Sequence, residues 1–156
     1  MHSVAPASWT VGEHLGTSEW LAISQERITA FGQITDDLEP LHTDPAWCRE
    51  HSPVGQPIAY GFLTLSLLTR FMHEITKGSL TGTTDRPGYA LNYGFDRVRF
   101  VSVVPVDSRI RCHVTFAERR MRADGDLMRF SVVVECEGAS RPALTAEWWS
   151  LWVVGT

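Results

Sequence analysis

The chain has 156 residues, 44% of them apolar and 21% charged, with six Trp and seven Phe. That suffices to bury a core in a single domain spanning 1–156 and argues against a disordered chain. A net charge of −4, with the basic residues scattered, excludes the electrostatic footprint of a nucleic-acid binder. The longest mainly apolar stretch, 61–68, is broken by Thr64 and Ser66 and falls short of the roughly 20 residues that span a bilayer, so no membrane segment is expected.

Residues 1–10 lack both a positive region and an apolar core of the signal-peptide kind, which makes the cytoplasm the expected location. Cys48, Cys112 and Cys136 are an odd number without metal-ligand spacing and are expected to be buried thiols. Weak strand patterns occupy 8–11 and 19–22, separated by Gly12 and Gly16. Ser24 then suits a helix N-cap, and 25–34 places Ile28, Phe31 and Ile34 on one helical face. The acidic, proline-containing stretch 35–41 ends that helix as a loop. Asp44 before Pro45 starts a second, short helix reaching about His51, because proline is tolerated at the first helical position and the carboxylate accepts backbone N–H groups.

Residues 52–60 carry Pro53, Gly55 and Pro57 and are expected to be a connecting loop. From Gly61 to about Ile75 the pattern predicts a central helix. Its apolar residues Phe62, Leu63, Leu65, Leu67, Leu68, Phe71 and Met72 surround most of the wheel, which implies burial on nearly all sides. Residues 77–87, rich in Gly and Thr, form a loop. After Gly88 the apolar period becomes two. Ile110, Cys112, Val114 and Phe116 alternate with polar residues, as do Met128, Phe130, Val132, Val134 and Cys136. Asp124-Gly125 marks a turn between these strands, and 143–154 supplies a last, aromatic-rich strand. Helices followed by strands indicate an α+β fold, one antiparallel sheet wrapped around a long central apolar helix.

The densest polar cluster is Thr35-Asp36-Asp37-Leu38-Glu39-Pro40-Leu41-His42. An acid and an imidazole five residues apart, with Pro40 stiffening the segment between, can converge on one water and exchange its protons with a ligand. Three acids in four positions also repel one another, which favours proton uptake somewhere in the cluster. The same residues suit a plainer role as caps and solvated loop residues, with His42 bonded to backbone. Ala59-Tyr60-Gly61-Phe62 leads into the apolar helix. There Gly61 either admits a ligand carbonyl to the first helical N–H groups or simply makes the bend. Ser66, one turn further on, either orients a ligand or bonds a carbonyl of the preceding turn.

Three blocks together resemble the MaoC-like dehydratases and (R)-specific enoyl-CoA hydratases. FGQITDDLEPLHTDPAWC resembles that family's signature, a Ser/Thr-Gly-Asp-x-Asn-Pro-hydrophobic-His run followed by Asp and a short helix. PIAYGFLTLSLLTRF resembles its glycine-led central helix, and LNYGFDRVRFVSVVPVDSRIRCHVTF the strand and Val-Pro turn where its sheet begins. The resemblance implies a single hotdog domain. It places Asp37 and His42 on the catalytic pair, Gly61 on the oxyanion-hole glycine and Ser66 on a serine near the catalytic water. Asp36 stands where the family usually has Gly, Glu39 where it usually has Asn, and Tyr60 where it commonly has His.

The expected chemistry is hydration of a 2-enoyl thioester, or the reverse dehydration, on CoA or an acyl carrier protein. Tyr60 and Glu39 join Ser66 around the substrate, with no metal or redox cofactor. A homodimer with sites near its interface is implied, and 77–87 is a candidate lid. Two rivals remain open. One is a thioesterase or conjugate-addition enzyme, favoured by the acid at Glu39. The other is a non-catalytic acyl-binding protein, favoured if the extra acids spoil the pair.

Overall fold

The computed structural model describes residues 8–83 and 87–154. Helices come first: α1 (Gln25–Thr35), α2 (Pro40–Thr43), α3 (Pro45–His51), α4 (Gly61–Ser66) and α5 (Leu68–Thr76), preceded by β1 (His14–Thr17) and β2 (Leu21–Ala22). Four long strands follow, β3 (Gly88–Phe100), β4 (Arg109–Arg122), β5 (Gly125–Cys136) and β6 (Leu144–Val154). They form one antiparallel sheet in the order β1-β4-β5-β6-β3, with β2 also on β4. The sheet curls around α4 and α5, the hotdog arrangement expected from the sequence.

Local signals account for several boundaries. The Ser24 hydroxyl accepts from the Arg27 N–H and caps α1. The Asp44 carboxylate accepts from Ala46 and Trp47, with Pro45 at the first turn of α3. In β4 and β5 the predicted alternation is observed: Ile110, Cys112, Val114 and Phe116, and Met128, Phe130, Val132, Val134 and Cys136, are all buried against Phe71, Leu68 and Trp152. All three cysteines are free and buried. Burial pushes the Cys112 thiol up to about 12, so it is inert at neutral pH.

Other expectations are corrected. The first strand lies at His14–Thr17 and not at 8–11. Gly16, read as a separator, sits at a bulge inside it, where a Cβ would come within 3.1 Å of Ile75 Cγ2. The turn expected between β4 and β5 is present, centred on Ala123 and Asp124, with Arg122 and Gly125 as its closing pair. The single central helix is broken at Leu67. Nearby, the Ser66 hydroxyl bonds back to the Phe62 carbonyl and the Thr69 hydroxyl to that of Ser66, competing with the helical ladder. Nor is this helix buried all round. Leu63, Leu67, Leu68, Phe71 and Met72 face the sheet, whereas Phe62 is 67% exposed, because one curved sheet covers only one side of the helix. No described helix is long and apolar enough to cross a membrane. The lid expected of 77–87 falls partly on 84–86, outside the described residues.

One buried acid sets a pH dependence. Asp126 is wholly buried, with Arg119 Nε 3.3 Å from Oδ2. Burial raises its proton affinity and Arg119 only partly opposes this. A carboxyl whose folded value lies above its unfolded one holds its proton more tightly in the fold. Its contribution is therefore most favourable in acid and is lost as pH rises through the range above the ordinary Asp value of about 3.9. Asp126→Asn should remove that slope. Relative to the parent chain its urea midpoint is expected to rise from pH 4 to pH 7, and a pH-independent difference would refute the assignment.

Candidate active site

The site is built where α1, the α2–α3 turn and the start of α4 meet. At the end of α1, Asp36 adopts a left-handed conformation, φ 56°, and its N–H and that of Asp37 both close onto the Gly32 carbonyl. The position where the resembling family usually has Gly is thus a left-handed helix cap, a conformation that Asp tolerates better than most side chains. Glu39 then precedes Pro40, the first residue of α2, and the Glu39 N–H donates to Asp37 Oδ1 at 3.3 Å.

His42, in the last turn of α2, is held from several directions. Its N–H donates to the Glu39 carbonyl at 3.0 Å, and its own carbonyl accepts from Gln25 Nε2 at 2.8 Å. Its Nδ1 lies 2.7 Å from the Ile58 carbonyl oxygen. A carbonyl can only accept, so Nδ1 carries the hydrogen, and the neutral ring is left with Nε2 as its acceptor.

Beside His42 opens an apolar cavity of about 390 Å³. It is lined by Ile58, Gly61, Phe62 and Thr64 and by the stretch from Phe100, the last residue of β3, to Val104. Gly61 begins α4, so its N–H has no partner one turn back within the helix. A Cβ there would stand 2.9 Å from the Phe100 ring, so glycine keeps the helix start open to that cavity.

Of the residues singled out in the sequence, His42 and Gly61 share this cavity, while Asp37, Glu39, Tyr60 and Ser66 are not among its lining residues. Asp37 and Glu39 are exposed. The Ser66 hydroxyl is engaged with the Phe62 carbonyl at 2.7 Å, and Ser66 lines a different cleft with Leu65, Asn92 and Trp148. Tyr60 is buried behind His42, its ring centroid 3.8 Å from that of the imidazole, and its hydroxyl donates to the Asp37 carbonyl. Burial, followed by the charges of Asp37 and Glu39, holds its phenol above the ordinary tyrosine range, so it stays a donor. Among the described residues there is no cluster of three or more His, Cys, Asp or Glu able to hold a metal ion.

Two features escaped the sequence reading. The wall from Phe100 to Val104, with Ala143, is apolar except for Ser102 and was not singled out as part of a site. Gly32 is the other: a Cβ there would lie 2.3 Å from the Tyr60 hydroxyl and 2.6 Å from the Asp37 carbonyl oxygen. A glycine inside an otherwise good helical pattern was the available sign of this close packing.

Comparison with known proteins agrees with the architecture. The chain is similar to Nodulation protein N of Rhizobium meliloti (strain 1021), at 39% identity over 152 residues covering 94% of this chain and 88% of the relative. It is also similar to 3-hydroxyacyl-thioester dehydratase Z of Mycobacterium tuberculosis, at 36% identity over 146 residues covering 93% and 92%. Among solved structures, the (R)-hydratase from A. caviae involved in PHA biosynthesis superposes with a TM-score of 0.72 at 22% identity, covering 92% of this chain and 97% of that one. Residues 6–136 match the family model described as MaoC like domain, and with these relatives the chain belongs to the MaoC-like dehydratase family.

Proposed function

We propose that the chain catalyses the reversible hydration of a 2-enoyl thioester, equivalently the dehydration of a 3-hydroxyacyl thioester, carried on CoA or an acyl carrier protein. The observation that carries this is His42 at the wall of an apolar cavity, with its ring nitrogens differentiated by Ile58 and the Gly61 helix start beside it. The name of the mycobacterial dehydratase, at 36% identity, supports the same reading. In the hydration direction His42 Nε2 accepts a proton from water as its oxygen bonds to the β-carbon. The electron pair of the double bond moves into a thioester enolate, which the Gly61 N–H stabilises. Asp37 shares the water with His42, and the pair returns a proton to the α-carbon, so that H and OH are both accounted for.

Incubation with crotonyl-CoA tests this. Loss of the enoyl absorbance without release of free thiol is expected, and thiol release instead would point to a thioesterase. A second reading, acyl-thioester binding without turnover, is favoured by the exposure of Asp37 outside the cavity lining. It requires bound ligand with no absorbance change.

We further propose that two copies pair along β3. This 13-residue edge strand exposes Tyr89, Leu91, Tyr93 and Phe100, each about half exposed, and the uncovered Phe62 lies against Phe100. A long apolar edge is a template for another strand, and such patches mark interfaces. Sedimentation equilibrium is expected to give twice the chain mass at micromolar concentration, and Leu91→Lys to lower it to one. A monomeric parent chain would end the proposal.

A further inference from the structure

We propose that Tyr60 is a positioning residue that holds both members of the acid–base pair at once, a role that rests on the hydration reading above. Tyr60 is 4% exposed and is not among the residues lining the cavity, so it acts through its neighbours and not on the ligand. Its ring lies against the His42 imidazole, centroids 3.8 Å apart and planes 30° apart, with Phe31 packed on it at 5.3 Å. His42 is thereby confined by a hydrogen bond at Nδ1 and by an aromatic surface on its face.

The hydroxyl reaches the other member. It donates to the Asp37 carbonyl, while the Asp37 N–H is bound to the Gly32 carbonyl at 3.0 Å. The two peptide groups flanking the Asp37 Cα are therefore both tied, which sets the direction in which its side chain leaves a loop that is otherwise exposed. Gly32 leaves the space for this contact, since any Cβ would overlap the hydroxyl and the carbonyl together. A rigid side chain with only two side-chain torsions thus spans from the imidazole to the backbone of the acid, and misplacement of either group is costly to proton transfer.

The test compares Tyr60→Phe, which keeps the ring and removes the hydroxyl, with Tyr60→Leu, which removes both, using crotonyl-CoA hydration and proton NMR of the imidazole. His42 resonances are identified by their absence in His42→Ala, and a stacked ring shifts them upfield. Tyr60→Leu is expected to lower kcat by about 10²-fold, a loss typical of misplaced catalytic groups, with KM within about threefold and the His42 signals moved downfield. Tyr60→Phe should keep the upfield signals and recover about tenfold of the lost kcat, since only the tether to Asp37 is missing.

If Tyr60→Leu does not fold, Tyr60→Phe decides alone: a kcat loss of about tenfold at unchanged KM supports the role, and a parental kcat overturns it. Unmoved His42 signals in Tyr60→Leu, or kcat within about threefold of the parent, likewise overturn it while leaving the hydration reading intact. A parent chain that does not hydrate crotonyl-CoA, or a His42→Ala chain as fast as the parent, removes the hydration reading and this role with it.

Discussion

Replacing His42 with alanine is expected to lower kcat for crotonyl-CoA hydration by about 10²–10⁴-fold, the usual contribution of a positioned general acid or base. The expectation follows from how the ring is held. The Ile58 carbonyl takes the Nδ1 hydrogen at 2.7 Å, which leaves Nε2 as the basic atom of a side chain that lines the cavity. Alanine removes the base and also strands the Ile58 carbonyl, at a cost of about 1 kcal/mol of stability.

His42→Asn separates the two effects. Its amide can still donate where Nδ1 does but places no base at the Nε2 position. Its urea midpoint should stay nearer the parent while kcat falls as far as in the alanine variant. Asp37→Asn should lose activity on a similar scale, because the amide no longer serves as a proton acceptor. Parental turnover in either His42 variant would remove the acid–base mechanism.

The second large effect is expected from a residue that touches no ligand. By helix propensity alone, Gly32→Ala within α1 should stabilise the protein by about 1 kcal/mol. The structure predicts the opposite sign. The new methyl group would stand 2.3 Å from the Tyr60 hydroxyl and 2.6 Å from the Asp37 carbonyl oxygen. Relief is difficult, because one of these atoms is backbone and the other belongs to a buried ring packed against Phe31 and His42.

Overpacking of this kind costs about 1–3 kcal/mol, which outweighs the helical gain. Whichever group yields, the tie between Tyr60 and Asp37 is broken as in Tyr60→Phe, and the forced shift of the Asp37 backbone or of the ring packed on His42 adds to that loss, so a kcat loss of about 10²-fold is expected. Gln33→Ala, exposed one position along the same helix, is the control and should change neither quantity. A Gly32→Ala protein that is more stable than the parent and fully active would show that the contact is not tight.

How much of this was legible beforehand depended on the range of the interactions involved. Ser24 and Asp44 announced their helices because a cap is a contact within three residues. The alternation of β4 and β5 announced a sheet with one buried face because strand geometry repeats every two residues. The departure at Asp36 was visible too, but its meaning as a left-handed cap required the backbone angle. By contrast, the break at Leu67 and the outward turn of Phe62 were hidden. Hydrophobicity reports what a residue prefers to contact, not whether a single sheet is wide enough to cover it.

The site divides along the same line. Residue types and spacing raised the acidic cluster, His42 and Gly61 as candidates and left a plainer role open for each, since an imidazole and acids flanking a proline and a glycine before an apolar run are local features. The family resemblance then singled out Asp37, His42 and Gly61. Tertiary structure alone decided that His42 and Gly61 share one cavity with the wall from Phe100 to Val104, and that Tyr60 lies behind the imidazole with its hydroxyl on Asp37. Those juxtapositions join segments up to about sixty residues apart through contacts that are short in space and long in sequence, and chain closure over such distances leaves no periodic trace in the sequence.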